Sequence, residues 1–265
     1  MKPFTFKQRV VWLLINFIDW IVNSSKLVRP LNFISNLLSG VLLSEKLSFL
    51  NFLPLFQSLS VAFIADGNRR WIKTKLPKET FLSMDPELIQ EKKVKYGMDK
   101  ISEFVKFAYF YKFSEVSFYC FAIKNFGRPK AEVDGIMNFI KKYGILEGTV
   151  PFKFKFYGRL DLLEPEVRDI FLKLEDNSKC VKGLIFNVFV AYSSSDDEKS
   201  MSRFSGKVDL LVRTGGERRL SDFLVRNVGN GTRVEFIKPF WPEFSIIHLW
   251  LVLFKYVLEE KYLKD

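Results

Sequence analysis

From residue 59 onward, short apolar runs alternate with longer segments of helical periodicity. The apolar runs contain few polar positions, as is typical of strands buried on both faces of a parallel sheet. The strand predictions are 59–65, 116–122, 152–157, 184–191, 208–212 and 234–237. The helix predictions are 91–111, 130–143, 165–177, 221–227 and 245–262. The alternation predicts an α/β fold with a mainly parallel sheet covered by helices.

The N-terminal region, residues 1–58, has a different pattern. Between Arg9 and Lys26 most polar residues fall on one narrow helical stripe, and the remaining face is broad and apolar. A membrane-spanning helix needs about 20 predominantly apolar residues, and Asn16 and Asp19 interrupt this one. The pattern favours an amphipathic helix that lies in the plane of a membrane surface. The alternative is that the helices of this region cap the globular core or line a cavity in it.

The chain is basic, with 41 Lys and Arg residues against 30 Asp and Glu residues and a net charge of +11. Such a charge is compatible with nucleic acid, an anionic membrane or anionic substrates. The lysines are dispersed and no known nucleic-acid-binding module is evident. The sequence therefore predicts anionic substrates or a membrane surface and no nucleic acid.

The segment from Asp66 to Trp71 follows the predicted strand 59–65, and ligands bind at the carboxyl ends of the strands in open parallel sheets. Asp66 offers a carboxylate, Gly67 an approachable backbone and Asn68 an amide, and the two residues that follow are arginines. Guanidinium groups bind phosphate bidentately, and Mg²⁺ prefers a carboxylate shared with substrate phosphates. The segment predicts a site for a diphosphate and a divalent cation. For this segment alone, the alternative is an ordinary turn with surface arginines.

A second segment, 213–223, follows the predicted strand 208–212. It offers Arg213, Arg219 and the hydroxyl of Ser221, which is placed to be the N-cap of the predicted helix 221–227. These residues predict a second anion site, in which Glu217 and Asp222 orient the arginines. The alternative for Ser221 is an N-cap that does not contact substrate.

A third segment, 118–134, leaves a predicted strand, passes through a turn and enters a helix near Pro129. Asn125 and Arg128 fall in that turn, on the same side of the sheet as the other two segments. The alternative for Pro129 and Glu132 is a purely structural role at the helix start. The only histidine, His248, has the sequence context of a packed helix residue, so the chemistry is not expected to depend on histidine.

In their order and placement, the three segments resemble the cis-prenyltransferase family, which makes undecaprenyl and dehydrodolichyl diphosphates. The resemblance runs from Val61 to the carboxyl end and includes 187–192 and 240–244. It implies a parallel six-stranded sheet flanked by helices with a hydrophobic tunnel. Residues 59–265 would then form the catalytic domain, and 1–58 a membrane-associating helical region. It also implies Mg²⁺-dependent condensation of isopentenyl diphosphate onto an allylic diphosphate such as farnesyl diphosphate.

By position, the resemblance also implies a role for each motif residue. Asp66 is the metal-binding catalytic acid, and Asn68 and Asn125 are further catalytic residues. The residues implied to bind the allylic diphosphate are Gly67, Asn68, Arg69 and Arg70. Those implied to bind isopentenyl diphosphate are Arg213, Arg219 and Ser221.

Several positions depart from the family pattern. Ala122 and Lys124 stand where a serine and an acidic residue are usual, and Lys93-Val94 stands in place of a Gly-His pair. Arg233 stands where bacterial homodimeric members have a metal-binding glutamate, with Glu235 two residues further on. These departures favour a subunit that is not active alone, and they leave an alternative: a degenerate non-catalytic subunit that stabilises a partner or binds lipid.

The pattern looks closer to the catalytic subunits of eukaryotic dehydrodolichyl diphosphate synthases. Those subunits resemble halves of a heteromer with a membrane-anchored, non-catalytic sister that supplies a carboxyl-terminal Arg-X-Gly motif. This chain ends in Leu263-Lys264-Asp265. We therefore expect a heteromeric partner first and a homodimer second. The expected location is peripheral, on the cytoplasmic face of the endoplasmic reticulum membrane, with a product used for dolichol and glycosylation.

Overall fold

A computed structural model describes residues 5–33, 56–75, 84–144, 151–199 and 204–263. The predicted strands are confirmed with small changes at their ends. In chain order the strands are β1 Ser60–Ile64, β2 Glu115–Ala122, β3 Lys153–Tyr157, β4 Ile185–Tyr192, β5 Leu210–Arg213 and β6 Arg233–Phe236. The apolar stretches 31–43 and 47–59 lie mostly outside the described residues.

The helices of the described ranges cover the sheet. They include α1 Phe6–Asn23, α2 Asn68–Lys75, α3 Pro86–Phe110, α4 Lys130–Tyr143, α5 Pro165–Ser178, α6 Ser194–Asp197, α7 Val225–Gly229 and α8 Ile246–Tyr262, and residues 28–33 are helical as well. The start of α3 is earlier than the predicted 91, because Asp85 accepts a hydrogen bond from the Glu87 N–H (2.8 Å) and Pro86 occupies the first helical position. The sequence pattern did not predict α2. The prediction of a helix over 221–227 was wrong, since α7 begins only at Val225.

All six strands are parallel and lie in the order β3-β4-β2-β1-β5-β6. From β1 the chain builds one side of the sheet as far as β4, and then crosses over to add β5 on the other side of β1. The order of the strands therefore reverses between β1 and β5, where a crevice opens at the carboxyl ends of a doubly wound sheet. Ile64 pairs with Arg213 at this edge, so the first two motif segments leave the sheet side by side.

One face of the sheet carries an aromatic core. Phe63 of β1 stacks on Phe118 of β2 (ring centroids 4.9 Å apart) and meets Phe104 of α3 edge to face (5.5 Å). Trp241 lies over the same cluster, 5.1 Å from Phe104. These four side chains are buried. Each aromatic side chain removes a large apolar area from water, so the core fixes α3 and the loop around Trp241 against the strands.

The N-terminal helix α1 presents one face to this core. Val11, Ile15, Ile18 and Val22 are buried, and their spacing of three or four residues places them on one side of the helix. Asp19 also faces the core and pairs with the buried Lys255 of α8 (2.7 Å). The opposite side of α1 exposes large apolar side chains to solvent: Phe6, Val10, Trp12, Leu13, Leu14, Phe17 and Trp20. The helix therefore has both a core-capping face and an unpartnered apolar face. None of the helices in the described ranges has the length and apolarity needed to cross a bilayer.

Candidate active site

The chain leaves β1 through a tight turn at Asp66 and Gly67. Gly67 has φ = 106°, and a Cβ atom at this position would lie 2.6 Å from the Phe240 ring. Only glycine has the conformational freedom and the small size that this turn requires. The Gly67 N–H donates to Asp66 Oδ1 (2.6 Å), so the turn holds the carboxylate at the edge of the sheet.

Three polar residues after this turn begin α2. The Asn68 amide donates to the Ala65 carbonyl (3.2 Å), which ties the helix start to the end of β1. Arg69 and Arg70 follow on the first turn, with side chains that are 60% and 43% exposed. Arg70 approaches Asp66 Oδ1 at 3.5 Å and lies over the Phe240 ring (5.3 Å to its centroid). The arginines of this segment are therefore accessible to a ligand.

Arg213, at the end of β5, is almost completely buried, with 3% of its side chain exposed. One guanidinium nitrogen donates to Asp66 Oδ2 (2.8 Å), and another donates to the Ser221 hydroxyl (2.8 Å) and to the Arg219 carbonyl. Arg213 thus joins the Asp66 segment directly to the Ser221 segment. Thr214 reinforces the junction, since its hydroxyl donates to the Asp66 carbonyl (2.9 Å) and accepts from the Asp66 N–H (3.1 Å).

Ser221 reaches Arg213 from an irregular loop and does not cap a helix, which corrects the N-cap prediction. Three residues of this loop have left-handed backbone conformations, which residues other than glycine adopt at a cost in energy: Ser221 (φ = 54°), Asp222 (φ = 60°) and Leu224 (φ = 48°). The Tyr119 hydroxyl lies within hydrogen-bond distance of the Ser221 carbonyl (3.2 Å) and the Tyr192 carbonyl (3.0 Å). The Tyr119 ring stacks on Phe223 at 4.4 Å. These contacts hold the strained loop against the sheet, and burial raises the pKa of Tyr119, so its hydroxyl keeps its proton.

Glu217 connects the exposed arginines of the two segments. Its carboxylate contacts Arg70 (3.2 Å) and Arg219 (2.6 Å), as expected of an orienting residue. Asp222 does not orient an arginine. It accepts a hydrogen bond from the Ser195 hydroxyl (3.1 Å) and stabilises its own loop.

The third segment approaches the same edge of the sheet. The Asn125 side-chain oxygen accepts from the Ala122 N–H (3.0 Å), so in this structure Asn125 stabilises the turn after β2. Its catalytic role stays a prediction. Arg128 and Glu132 form an ion pair (3.0 Å), and the second oxygen of Glu132 lies 3.7 Å from Arg69. Glu132 is therefore more than a helix-start residue, because it links α4 to the arginines of α2.

A cavity of about 750 Å³ opens beside the motif residues. At the strand ends it is lined by the residues from Asp66 to Arg70 and by Arg219. It continues along β4 from Val190 to Phe186, a distance of about 13 Å at the usual rise per strand residue. The walls here are apolar and include Met98, Ile101, Met137, Phe171 and Phe186. The cavity thus joins a charged opening to an apolar interior, which corresponds to the expected hydrophobic tunnel.

The electrostatics of Asp66 favour its ionised form. Burial opposes ionisation, but the Arg213 hydrogen bond, the charges of Arg213 and Arg70, and the Gly67 N–H together lower the pKa of Asp66 below its usual value. The described residues contain no cluster of three or more His, Cys, Asp and Glu side chains that could hold a metal alone. An ionised carboxylate beside the arginines predicted to bind phosphate nevertheless fits Mg²⁺, which takes one or two carboxylates together with substrate phosphates. Asn68 Oδ1, buried and without a partner among the described residues, is a further acceptor for a hydrated ion.

Sequence reasoning missed several residues of this site. Thr214 follows Arg213 directly, and its position after a buried strand was the available signal. Lys93 lines the cavity from α3, although the sequence indicated only a departure from the family pattern at this position. Glu235 lies outside the cavity, because it is 7% exposed and pairs with Lys255 (2.9 Å) and Arg233 (3.3 Å).

Comparisons with known proteins identify the family of the chain. The family model for undecaprenyl diphosphate synthase matches residues 64–203 and 198–263. The dehydrodolichyl diphosphate synthase of Encephalitozoon cuniculi is 41% identical over 213 residues, which cover 80% of this chain and 75% of that protein. A dehydrodolichyl diphosphate synthase complex subunit of Schizosaccharomyces pombe is 28% identical over 76% of this chain and 85% of its own length.

Among solved structures, lavandulyl diphosphate synthase from Lavandula x intermedia, in complex with dimethylallyl diphosphate, has the same fold. Its TM-score is 0.64 at 20% identity, and the match covers 77% of this chain and 96% of that one. The family model accounts for most of the chain, and the 41% identical relative covers 80% of it. The chain therefore belongs to the cis-prenyltransferase family.

Proposed function

We propose that the chain condenses isopentenyl diphosphate units onto farnesyl diphosphate to make a long-chain polyprenyl diphosphate, dehydrodolichyl diphosphate, for dolichol and glycosylation. The observation that carries this proposal is the apolar cavity that opens at Asp66, beside the buried Arg213. A charged opening with an apolar interior complements a molecule with a phosphate head and a hydrocarbon tail.

The two substrates make different demands on the protein. A farnesyl tail of about 15 carbons is worth on the order of 10 kcal/mol when buried, before ordering costs. The cavity walls therefore supply much of its affinity. Isopentenyl diphosphate has about five carbons, so most of its affinity comes from phosphate contacts. The pair of Arg213 and Arg219, close to Ser221, suits this smaller substrate.

In the reaction, the bond between C1 of the allylic substrate and its diphosphate oxygen breaks, and the electron pair leaves with the diphosphate. The double bond of isopentenyl diphosphate forms the new carbon–carbon bond, and that unit then loses a proton to the released diphosphate, which restores a double bond. Arg69 and Arg70 stabilise the charge that develops on the leaving diphosphate. Arg213 holds the isopentenyl diphosphate close to Asp66, which brings the two reactants together.

Mg²⁺ fits this proposal as a cofactor at Asp66. When bound there together with substrate phosphate oxygens, the ion supplies positive charge to the leaving diphosphate. Asp66 must be ionised for this role, and the neighbouring arginines favour that state.

A partner subunit and a membrane surface also belong to the proposal. A relative from Schizosaccharomyces pombe is named as a subunit of a synthase complex, which supports a heteromer. The exposed apolar face of α1 includes Trp20 (61% exposed) and Leu13 (62% exposed), which supports peripheral binding to a membrane surface. The proposed use of the product for dolichol would place this surface on the cytoplasmic face of the endoplasmic reticulum membrane. Flotation with lipid vesicles, carried out on the wild type and on a Trp20→Ser variant, tests this binding. If the wild type does not float with the vesicles, the membrane part of the proposal is wrong.

The test of the activity is extension of farnesyl diphosphate by labelled isopentenyl diphosphate. The chain is assayed alone and with its partner, with and without Mg²⁺, and the products are separated by length. We expect Mg²⁺-dependent long-chain products that require the partner. The absence of any extension by the complete complex contradicts the proposal.

A non-catalytic subunit is the second candidate, and one observation favours it. Arg233 occupies the position where bacterial homodimeric members have a metal-binding glutamate. Glu235, two residues further along the chain, pairs with Lys255 and Arg233 and does not line the cavity. Complementation distinguishes the candidates. Rescue of a prenyltransferase-deficient cell by Asp66→Asn supports the non-catalytic subunit, and rescue by wild type alone supports the enzyme.

A further inference from the structure

The last residue of α1 is bonded to the chain that follows β6. The Asn23 side-chain oxygen accepts a hydrogen bond from the Lys238 N–H (2.9 Å), and the Asn23 amide group donates to the Asp19 carbonyl of α1 (3.1 Å). The side chain is therefore held at both ends, by its own helix and by the segment 237–241. We call the segment 237–241 the site loop.

A buried group of charges fixes α1 in register for this contact. Asp19 pairs with Lys255 (2.7 Å), and Lys255 also pairs with Glu235 of β6 (2.9 Å). Burial opposes the charge of Lys255, but the attraction of Glu235 and Asp19 raises its pKa above the usual value, so Lys255 stays charged. Asp19 and Asn23 lie one helical turn apart. The end of α1 is thus attached at two points, to β6 through Lys255 and to the site loop directly.

The site loop holds the segment after β5 through main-chain hydrogen bonds. The Gly215 N–H donates to the Pro239 carbonyl (2.7 Å). The Gly216 N–H donates to the Ile237 carbonyl (2.9 Å). Lys238, which donates to the N-terminal helix, lies between these two acceptors. A shift of Lys238 therefore displaces both carbonyl groups that hold the Gly215–Gly216 turn.

The site loop also holds the segment after β1. The Trp241 N–H donates to the Asp66 carbonyl (2.9 Å). The Phe240 ring lies so close to Gly67 that a Cβ atom there would be 2.6 Å from it, and Arg70 lies over the same ring (5.3 Å to its centroid). The site loop is therefore common to both segments that are proposed to bind diphosphates.

We propose that Asn23 is a positioning residue for the condensation: through the site loop it sets how the two diphosphate segments lie relative to each other. The helix α1 is then part of the catalytic unit and not only a membrane contact. The rate of a reaction between two bound molecules depends on their relative placement, whereas the affinity for each diphosphate comes from arginine side chains. Asn23 does not line the cavity and takes no part in bond making. This inference rests on the proposed function for the identity of the reaction.

The helix α1 offers two matched controls on its exposed side. Asn16 makes the same bond within the helix as Asn23 does, since its amide group donates to the Trp12 carbonyl (2.7 Å), but it is exposed. Trp20 belongs to the exposed apolar face. We compare Asn23→Ala, Asn23→Asp, Asn16→Ala and Trp20→Ser in the complete complex. Extension kinetics are measured without lipid vesicles, and flotation is measured with them.

Asn23→Ala is expected to lower kcat about 3- to 10-fold, the scale of one uncharged hydrogen bond, with both KM values and flotation near wild type. Asn23→Asp keeps an oxygen that accepts from the Lys238 N–H, so it should retain most of the activity. Asn16→Ala should behave as wild type. Trp20→Ser should show the opposite pattern to Asn23→Ala, with weaker flotation and an unchanged kcat.

Hydrogen exchange provides a readout that does not depend on turnover. The amides of Gly215, Gly216 and Trp241 are the groups that the site loop joins to the two segments. We expect these three amides to exchange faster in Asn23→Ala and at the wild-type rate in Asn16→Ala. Exchange in the sheet, away from the site loop, should be the same in both variants.

Three outcomes overturn the inference. They are an unchanged kcat in Asn23→Ala, a lower kcat without faster exchange of the three amides, and an equal loss in Asn23→Asp, which would place the effect in the bond to the Asp19 carbonyl. The two proposals fail separately. If the wild-type complex extends no substrate, the proposed function is wrong, and the exchange rates alone decide whether Asn23 fixes the site loop. If extension occurs and Asn23→Ala leaves kcat unchanged, only the inference about Asn23 is wrong.

Discussion

The two segments that are proposed to bind diphosphates hold their arginines in different ways. Arg69 and Arg70, after β1, are 60% and 43% exposed, and their closest ion-pair contacts are 3.7 Å to Glu132 and 3.2 Å to Glu217. Arg213, at the end of β5, is 3% exposed and has contacts of 2.8 Å to both Asp66 and Ser221. Arg69 and Arg70 are therefore open and adjustable, whereas Arg213 is fixed before any ligand arrives, although Arg219 of the same segment is 61% exposed.

This difference matches the two proposed substrates. A long prenyl chain is positioned by the cavity, so the arginines near its head can adjust to it. A five-carbon substrate has little apolar surface, and a preformed site avoids the entropy cost of ordering flexible arginines around it. Asp66 belongs to the segment after β1 and contacts Arg213 of the other segment. Variants of Asp66, Arg213 and Ser221 therefore test the comparison, with expected losses of activity that decrease in this order.

The largest effect is expected from Asp66→Asn, which affects both segments. The amide keeps the volume of the side chain but removes the negative charge that pairs with Arg213 and suits Mg²⁺. We expect kcat to fall by about 10³-fold, the scale reported for loss of a preorganised electrostatic group. Steady-state extension kinetics of the complete complex measure it.

Asp209→Asn is the matched control for this variant. Asp209 is also mostly buried at a strand end, but it accepts from the Ser60 N–H (2.9 Å) at the opposite edge of the sheet. Its kcat should stay near wild type even if its melting temperature falls. Equal loss of kcat in both variants would mean that destabilisation, and not the site, causes the effect at Asp66.

The second prediction compares Arg213→Met with Arg69→Met. Removal of Arg213 leaves Asp66 without its closest cation, and breaking such a pair costs about 3–5 kcal/mol when the pair is buried. Asp66 is itself partly exposed, so the lower end of that range applies here. We expect a lower melting temperature and a KM for isopentenyl diphosphate raised about 100-fold. Arg69→Met should leave stability unchanged and raise only KM for farnesyl diphosphate, by about 10-fold.

Arg213→Lys separates charge from geometry in this comparison. Lysine keeps the positive charge but cannot make the forked contacts to Asp66 and Ser221. Compared with Arg213→Met, the melting temperature of Arg213→Lys should return closer to the wild-type value than its KM for isopentenyl diphosphate does. If Arg69→Met proves as destabilising as Arg213→Met, the contrast between an adjustable and a fixed segment is wrong.

Much of the fold was predictable because local pattern and tertiary structure agree. The strand β1 has five buried residues in a row, and its apolar run was read correctly. The helix α4 was predicted with its observed ends, since Pro129 precedes it and Gly144, with φ = 65°, ends it. The helix α2 was missed because its sequence, Asn-Arg-Arg-Trp-Ile-Lys-Thr-Lys, has only two buried side chains and no extended apolar stripe.

The parts of the site that could not be predicted depend on contacts between distant residues. Asp66 and Arg213 were each chosen from their own segment, but their direct pairing follows from β1 lying next to β5, which no local pattern gives. The Ser221 loop was read as a helix because its left-handed residues are not glycines. Its conformation depends on the Tyr119 hydroxyl from β2 and on Arg213. Lys93 was identified only as a departure from the family pattern, because the other residues at its end of the cavity, Arg69 and Arg128, come from other elements.

The smallest effect is expected from Ser221→Ala, which tests how firmly the β5 segment is fixed. Without the hydroxyl, Arg213 keeps its contacts to Asp66 and to the Arg219 carbonyl, so it stays near its position. We expect KM for isopentenyl diphosphate to rise about 3- to 10-fold, with little change in stability or in KM for farnesyl diphosphate. Ser195→Ala is the control, because Ser195 contacts Asp222 of the same loop and not Arg213. A loss in Ser221→Ala as large as that of Arg213→Met would mean that the hydroxyl itself provides the main contact to substrate. A loss shared with Ser195→Ala would instead place the effect in the conformation of the loop.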